Sequence, residues 1–178
     1  MYLKFIFILS LLLMQLSAVH SQTVLSLNPL FTEQEAFLFP QAEGRWALDE
    51  NDTIVIKKTG DNFYLLKYGK ANNFSQYEAV FIYVGNTTFL DLVPKIPDTI
   101  GSKDYRMQIQ PLHSFLKIKI EKDTLWVADL NYAWFYNQLK KNKPLLVHSW
   151  REGGFLITAT SNELRNFIEV NANDSAFF

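Results

Sequence analysis

Short runs of alternating apolar and polar residues dominate this chain, and turn-forming residues separate most of them. The clearest pairs are residues 53–58 with 62–68, joined through Gly60, and residues 77–84 with 87–93, joined through Gly85-Asn86. Runs of this length with a period of two are typical of β-strands, and the short polar breaks are typical of hairpin turns. The pattern therefore predicts a series of antiparallel hairpins.

Residues 108–130 form the hairpin with the most regular alternation, with a predicted turn at Glu121-Lys122-Asp123. Leu116, Ile118 and Ile120 share one face of the first strand, because successive side chains point to opposite faces. We expect this apolar row to face the protein interior. His113 falls on the opposite face of the same strand, together with Phe115 and two lysines.

Residues 77–84 are apolar on both faces, which predicts a strand that is covered on both sides. Residues 145–150 and 155–159 predict the last hairpin. The polar residues 71–76 predict a loop. Residues 94–103 contain two prolines and a glycine, and we expect this irregular segment to fold over an opening.

Helical spacing predicts three helices. A short one spans residues 29–39, with Asn28 as its N-cap and Pro40 at its end, and a second spans residues 131–141. The third begins at Thr160, because Thr160-Ser161-Asn162-Glu163 is a capping box. Its apolar stripe predicts that it packs on the outer face of the strands.

The first 21 residues predict a cleaved signal peptide, with Lys4 before an apolar run and a cut after Ser21. The remaining chain divides into an N-terminal segment at residues 22–43, containing the short helix, and a β-domain at residues 44–178. We therefore expect an exported protein, periplasmic or secreted, with no integral membrane segment after cleavage.

Composition excludes several classes of function. The chain has 17 basic and 18 acidic residues, a formal net charge of −1, and this balance gives no electrostatic basis for binding nucleic acid. It has no cysteine, so disulfides, thiolate nucleophiles and Cys-ligated zinc are excluded. No ligand-spacing motif predicts a metal, and no motif predicts a cofactor.

Several motifs resemble those of exported, lipocalin-like bacterial proteins of unknown function. They are Gly44-Arg45-Trp46, Phe89-Leu90-Asp91-Leu92-Val93-Pro94, Pro111-Leu112-His113-Ser114-Phe115, the helix start at residues 160–167 and the ending at residues 173–178. The resemblance covers about residues 44–178. It implies a mainly β fold: a single antiparallel lipocalin-like, calycin-type barrel of about eight strands with a C-terminal α-helix packed outside. It implies no catalytic residues. Members are often lipoproteins, and the lack of cysteine departs from that pattern.

Asp91 and His113 are the first candidates for a functional site. Asp91 stands in an otherwise apolar strand, and a buried carboxylate is unfavourable unless it is paired. It can bind the polar group of a ligand, cap a turn, or pair with Arg45 or His113. We predict contact between Asp91 and His113, with a structural role favoured over a chemical one.

Phe81, Tyr83 and Trp126 complete the candidate ligand-binding set, as aromatic residues on strands that would line the barrel. The leading hypothesis is a non-enzymatic protein that binds a small apolar or amphipathic ligand in a pocket open at one end. The alternative is an interaction or structural module with a filled barrel and an exposed apolar patch. An enzyme would need His113 and a carboxylate in one cleft.

Overall fold

The computed structural model describes residues 23–48, 52–70, 73–143, 145–151 and 154–178. The predicted signal peptide lies outside these ranges. Within them, every helix is too short or too polar to cross a membrane.

Strands outnumber helices in the described chain, and short turns join most of the strands that follow one another within the hairpins. They are β1 (Thr23–Ser26), β2 (Gly44–Ala47), β3 (Thr53–Lys58), β4 (Tyr64–Lys70), β5 (Asn73–Val84), β6 (Thr87–Pro94), β7 (Ser114–Glu121), β8 (Thr124–Asp129), β9 (His148–Arg151) and β10 (Gly154–Ile157). The helices are α1 (Lys103–Met107), α2 (Tyr132–Lys140) and α3 (Ser161–Asn171).

Strands β2 to β8 form one antiparallel sheet in which each strand pairs with its neighbour along the chain. The sheet curls into a nearly closed barrel whose two edge strands, β2 and β8, face each other. The predicted hairpins therefore all form, including the two-residue turn at Gly85, whose φ of 57° suits glycine. The fold class predicted from sequence, a mainly β antiparallel barrel with a C-terminal helix outside, is confirmed.

The remaining three strands form a separate sheet in the order β1-β10-β9. The predicted last hairpin is present as β9 and β10, but it lies outside the barrel. β1 runs parallel to β10, and the two strands approach so closely that a Cβ on Gly154 would clash with the Thr23 carbonyl oxygen. Ser26 and His113 each donate a backbone N–H to the carbonyl of the other, and these two hydrogen bonds join the small sheet to the start of β7.

One end of the barrel is filled by aromatic side chains. The Phe81 ring is fully buried there, with ring centroids 5.0 Å from Tyr64 and 5.2 Å from Phe39. The N-terminal segment covers this end: the Phe39 N–H donates to the Tyr64 hydroxyl at 2.9 Å, and the Trp46 indole N–H donates to the Ala42 carbonyl at 2.9 Å. The expected interior row of Leu116, Ile118 and Ile120 packs in the same inner core.

A second core lies outside the barrel. The outward side chains of β5, including Val80, Ile82 and Val84, are buried beneath α3, whose Leu164 and Ile168 are completely buried. This confirms both the doubly covered strand and the packing of the C-terminal helix. The capping box also forms, since Thr160 and Glu163 exchange backbone and side-chain hydrogen bonds.

The helix predicted for residues 29–39 is wrong. This segment contains only a single 3₁₀ turn, Glu33–Glu35, and a second turn follows at Pro40–Ala42. The physical reason is that its apolar residues serve two different cores: Leu30 packs in the outer core and Phe37 against the inner one. A single helical face cannot reach both, and the Phe37 N–H instead pairs with the Phe81 carbonyl.

The loop predicted for residues 71–76 is also wrong over most of its length. Residues 73–76 continue β5 and pair with residues 67–70 of β4. Their side chains are largely exposed on both faces of the sheet, so the strand carries no apolar alternation. Backbone pairing with β4 maintains the strand where the side-chain pattern gives no signal.

Candidate functional site: the mouth of the barrel

The barrel opens at the end opposite the aromatic plug, and a cavity of about 490 Å³ lies inside this mouth. Its walls are mainly apolar, with polar groups confined to a few side chains. They are formed by Thr23, Leu48, Ile54, Leu66, Tyr68, Tyr77, Leu92, Ser114, Leu116, Val127, Ala128 and Asp129. A volume of this size with apolar walls and few polar groups is typical of a small-molecule site.

Asp129 is the one charged residue among the described residues that line this cavity. It pairs with Leu116 across β7 and β8, and side chains of directly opposed residues lie on the same face of a sheet. The carboxylate therefore shares the inner face with Leu116. It is open to solvent on one side, while the surrounding walls partly desolvate it and raise its pKa.

A smaller cavity of about 240 Å³ lies in the seam between the two edge strands. Arg45 and Trp46 of β2 line one side, and Thr124 and Leu125 of β8 line the other. Leu48, Ile54 and Val127 line both cavities, so the seam continues into the mouth. β2 and β8 are the two edges of the sheet and are not paired with each other. The cavity at the mouth therefore extends sideways into the gap between these two strands.

Asp91 and His113 contact each other, as predicted. The His113 Nδ1–H donates to the Asp91 carboxylate at 2.6 Å, and the Leu30 N–H donates to its second oxygen at 2.7 Å. Asp91 is 1% exposed and lies on the outer face of β6 with Phe89. Both carboxylate oxygens are therefore used to fasten the N-terminal segment and the start of β7 to the barrel wall.

The five residues predicted to bind ligand lie in different places, and none of them lines the mouth cavity. Phe81 is in the aromatic plug at the closed end. Tyr83 is half-exposed beyond it and stacks on Phe37 with a centroid distance of 4.2 Å. Asp91 and His113 lie outside the barrel, and Trp126 is exposed on the outer face of β8, opposite Lys119. Their role in ligand binding stays a prediction.

Sequence reasoning missed the polar residues of the mouth, although strand alternation gave a signal for two of them. Ser114 shares parity with Leu116 and Ile118, which were expected to face inward. Asp129 shares strand parity with Leu125 and Val127, whose side chains face inward, so alternation alone places its carboxylate on the inner face. Thr23 had no such signal, because its position depends on the long-range pairing of β1 with β10.

Among the described residues, neither His113 with Ser114 nor His148 with Ser149 forms a hydrogen-bonded Ser–His pair. Ser114 lines the mouth cavity, whereas His113 points to the outer face, as alternation predicted. The His148 Nδ1–H donates to the Leu146 carbonyl at 2.7 Å rather than to a serine hydroxyl. Among the described residues, no three potential metal ligands come together.

The irregular segment after β6 flanks the mouth without contributing to its walls. The guanidinium of Arg106 in α1 donates hydrogen bonds to the backbone carbonyls of Asp98, Ile100 and Gly101, and these bonds hold the segment together. None of the described residues that line the cavity comes from residues 95–113. The expectation that residues 94–103 fold over an opening stays a prediction, although the segment connects two strand ends at the mouth.

Comparisons with known proteins give no relationship from which a function can be transferred. A scan against protein-family models and searches of curated proteins and of solved structures found no match to the chain.

Proposed function

We propose that this protein is a non-enzymatic exported lipocalin-like protein that binds a small, partly apolar ligand in the mouth of its barrel. The cavity of about 490 Å³ is the observation that carries the proposal. The same barrel is tightly packed at its other end, so the open volume is local to the mouth. Its apolar walls and polar rim match the demands of a ligand with an apolar body.

The division of the inner core supports this assignment over the alternative of a filled structural module. That alternative requires side chains to occupy the whole barrel. Here the residues that fill the closed end, such as Phe81 and Tyr64, are buried completely, while Leu48 and Tyr68 at the mouth remain 45% and 43% exposed. Apolar side chains left in this state around a concavity favour a bound ligand.

A non-enzymatic role is supported by the position of the one histidine–carboxylate pair that the described residues form. His113 and Asp91 do converge, but on the outer face, where the carboxylate holds the Leu30 backbone. The pair therefore makes a structural contact between three segments of chain. The mouth itself presents no histidine among its described lining residues.

Titration with the neutral apolar fluorophore N-phenyl-1-naphthylamine tests the proposal. We expect saturable binding at one site. Leu116→Trp, which places a larger side chain in the cavity, should weaken binding by about tenfold or more. Val170→Trp is the matched control, because Val170 is 83% exposed on α3 and does not line the mouth cavity.

The variants should be compared by thermal denaturation so that loss of binding is not confused with loss of fold. Weak, non-saturable fluorescence would contradict the proposal, as would equal effects of Leu116→Trp and Val170→Trp. Native mass spectrometry of protein purified from its own source would then identify a small molecule that remains bound.

A further inference from the structure

The polar residues of the mouth are grouped on one side of the rim. Ser114 and Asp129 belong to the neighbouring strands β7 and β8. Thr23 begins β1, which joins β7 through the bridge between Ser26 and His113. The remaining described walls of the cavity are apolar or carry tyrosine. A ligand in this cavity therefore meets a carboxylate and two hydroxyl side chains at one side and apolar surface elsewhere.

The Asp129 carboxylate has no hydrogen-bond or ion-pair partner among the residues that the structure describes. This contrasts with Asp91, whose two oxygens both accept hydrogen bonds. A partly desolvated carboxylate without a partner is unfavourable, and a cation that approaches it recovers part of the lost interaction. The raised pKa of Asp129 has burial as its only cause, which agrees with the missing partner.

We propose that the mouth cavity selects cationic amphiphiles, with a protonated amine held at Asp129 and the apolar chain packed against the cavity walls. Ser114 and Thr23 supply additional hydroxyl acceptors for the N–H groups of the amine. The assignment rests on the proposed function, since it names the class of ligand for the same cavity.

Three ligands that share an apolar chain and differ in head group test this inference: decylammonium, 1-decanol and decanoate. Each is used at neutral pH to displace N-phenyl-1-naphthylamine, and each affinity is checked by calorimetry. We expect decylammonium to bind about tenfold more tightly than decanol, because a hydrogen bond to a charged group is stronger than a neutral one. Decanoate should bind most weakly, owing to repulsion from Asp129.

Asp129→Asn should lower the affinity for decylammonium by about tenfold and leave that for decanol within about twofold. Asp61→Asn is the charge-matched control, since it removes one exposed carboxylate from the turn between β3 and β4. Its affinities should equal those of the wild-type protein for all three ligands.

Two results would overturn the assignment of a cationic ligand while leaving the proposed function intact. One is equal binding of decylammonium and decanol that Asp129→Asn does not change. The other is an equal loss of decylammonium affinity in Asp129→Asn and Asp61→Asn, which indicates attraction to overall charge rather than to the rim. Failure of the fluorophore and of all three ligands to bind would instead remove the proposed function itself.

Discussion

Large apolar side chains are fully buried in the outer core but partly exposed at the mouth of the barrel. In the outer core, Leu164, Ile168 and Phe177 are fully buried between the barrel wall, two helices and the small sheet. At the mouth, Leu48, Tyr68 and Val127 line a cavity and remain 36–45% exposed.

The aspartates of the two regions, Asp91 and Asp129, also differ in whether their carboxylate oxygens have hydrogen-bond partners. Asp91, on the outer face of the barrel wall, has a partner for each oxygen, and Asp129 at the mouth has none among the described residues. Tight packing is therefore concentrated outside the barrel and at its closed end, while the mouth stays open, as the proposed binding of a ligand requires. A site whose polar and apolar groups are unsatisfied in the free protein is typical of a binding function.

The largest expected effect comes from breaking the buried pair at the edge of the outer core. His113→Ala should lower the free energy of unfolding by about 4 kcal/mol, because it removes the Nδ1–H donor and leaves one oxygen of the buried Asp91 carboxylate without a partner. Chemical denaturation followed by tryptophan fluorescence measures the change.

His148→Ala is the control for this variant, since His148 is also partly buried but bonds only a backbone carbonyl. Its destabilisation should be about 1 kcal/mol. Equal stabilities of the two variants would show that Asp91 and His113 do not act as a pair, and the contrast with Asp129 would lose its basis.

Equivalent truncations in the two regions should have unequal effects. Ile168→Ala in α3 should lower the free energy of unfolding by about 3 kcal/mol, because Ile168 is completely buried and leaves a cavity. Leu116→Ala should lower it by only about 1 kcal/mol, because Leu116 already borders an open volume.

Urea denaturation of both variants measures this difference. Val170→Ala, on the exposed face of α3, controls for the change in helix propensity and should be neutral within about 0.5 kcal/mol. A Leu116→Ala variant as unstable as Ile168→Ala would mean that the mouth is packed as tightly as the outer core.

The smallest effect is a difference in the pH dependence of stability. Burial raises the pKa of Asp129 above its ordinary value of 3.8. As the pH rises through this value, the Asp129 carboxyl therefore keeps its proton longer in the folded state than in the unfolded state, and stability falls. The ionised carboxylate therefore disfavours the fold at neutral pH. Asp129→Asn should be more stable than the wild-type protein there, by less than about 1 kcal/mol because solvent screens the group.

Replacing Glu163 should change stability at neutral pH in the opposite direction, because the pKa of Glu163 is lowered rather than raised. Hydrogen bonds from the Thr160 backbone and hydroxyl lower its pKa below the ordinary value of 4.5, so its contribution to stability is present above that pH and lost below it. Glu163→Gln should therefore be less stable than the wild-type protein at neutral pH. Both differences should vanish near pH 2, where the carboxyls of the wild-type protein are protonated; differences of the same sign would contradict the comparison.

Sequence alternation predicted the barrel and its inner face because strand parity is a local property. It placed Leu116, Ile118 and Ile120 inside, and it turned His113 outward, where Asp91 meets it. It did not predict how the ten strands of the described chain divide into two sheets. The pattern of a strand shows which of its faces is apolar, but not which other strand pairs with it.

The candidate site was the least predictable part for a related physical reason. A cavity is defined by side chains that fail to fill a volume, and this depends on the curvature of the sheet and on what covers each end. The N-terminal segment illustrates the point, because Phe39 and Ala42 close one end through contacts far along the chain. Phe81 and Trp126 were predicted as aromatic residues of strands that would line the barrel, and they belong to the plug and to the outer surface.

The parallel pairing of β1 with β10 has a consequence for the order in which the chain folds. The barrel strands can pair one after another as they are synthesised, because each is the neighbour of the one before. β1 must wait for Gly154 and the residues after it, and the outward side chains of β5 must wait for α3. Such long-range closure is slow. Until β10 and α3 have been synthesised, Val80, Ile82 and Val84 of the newly made barrel stay uncovered. We expect the chain to be most prone to aggregate during this interval.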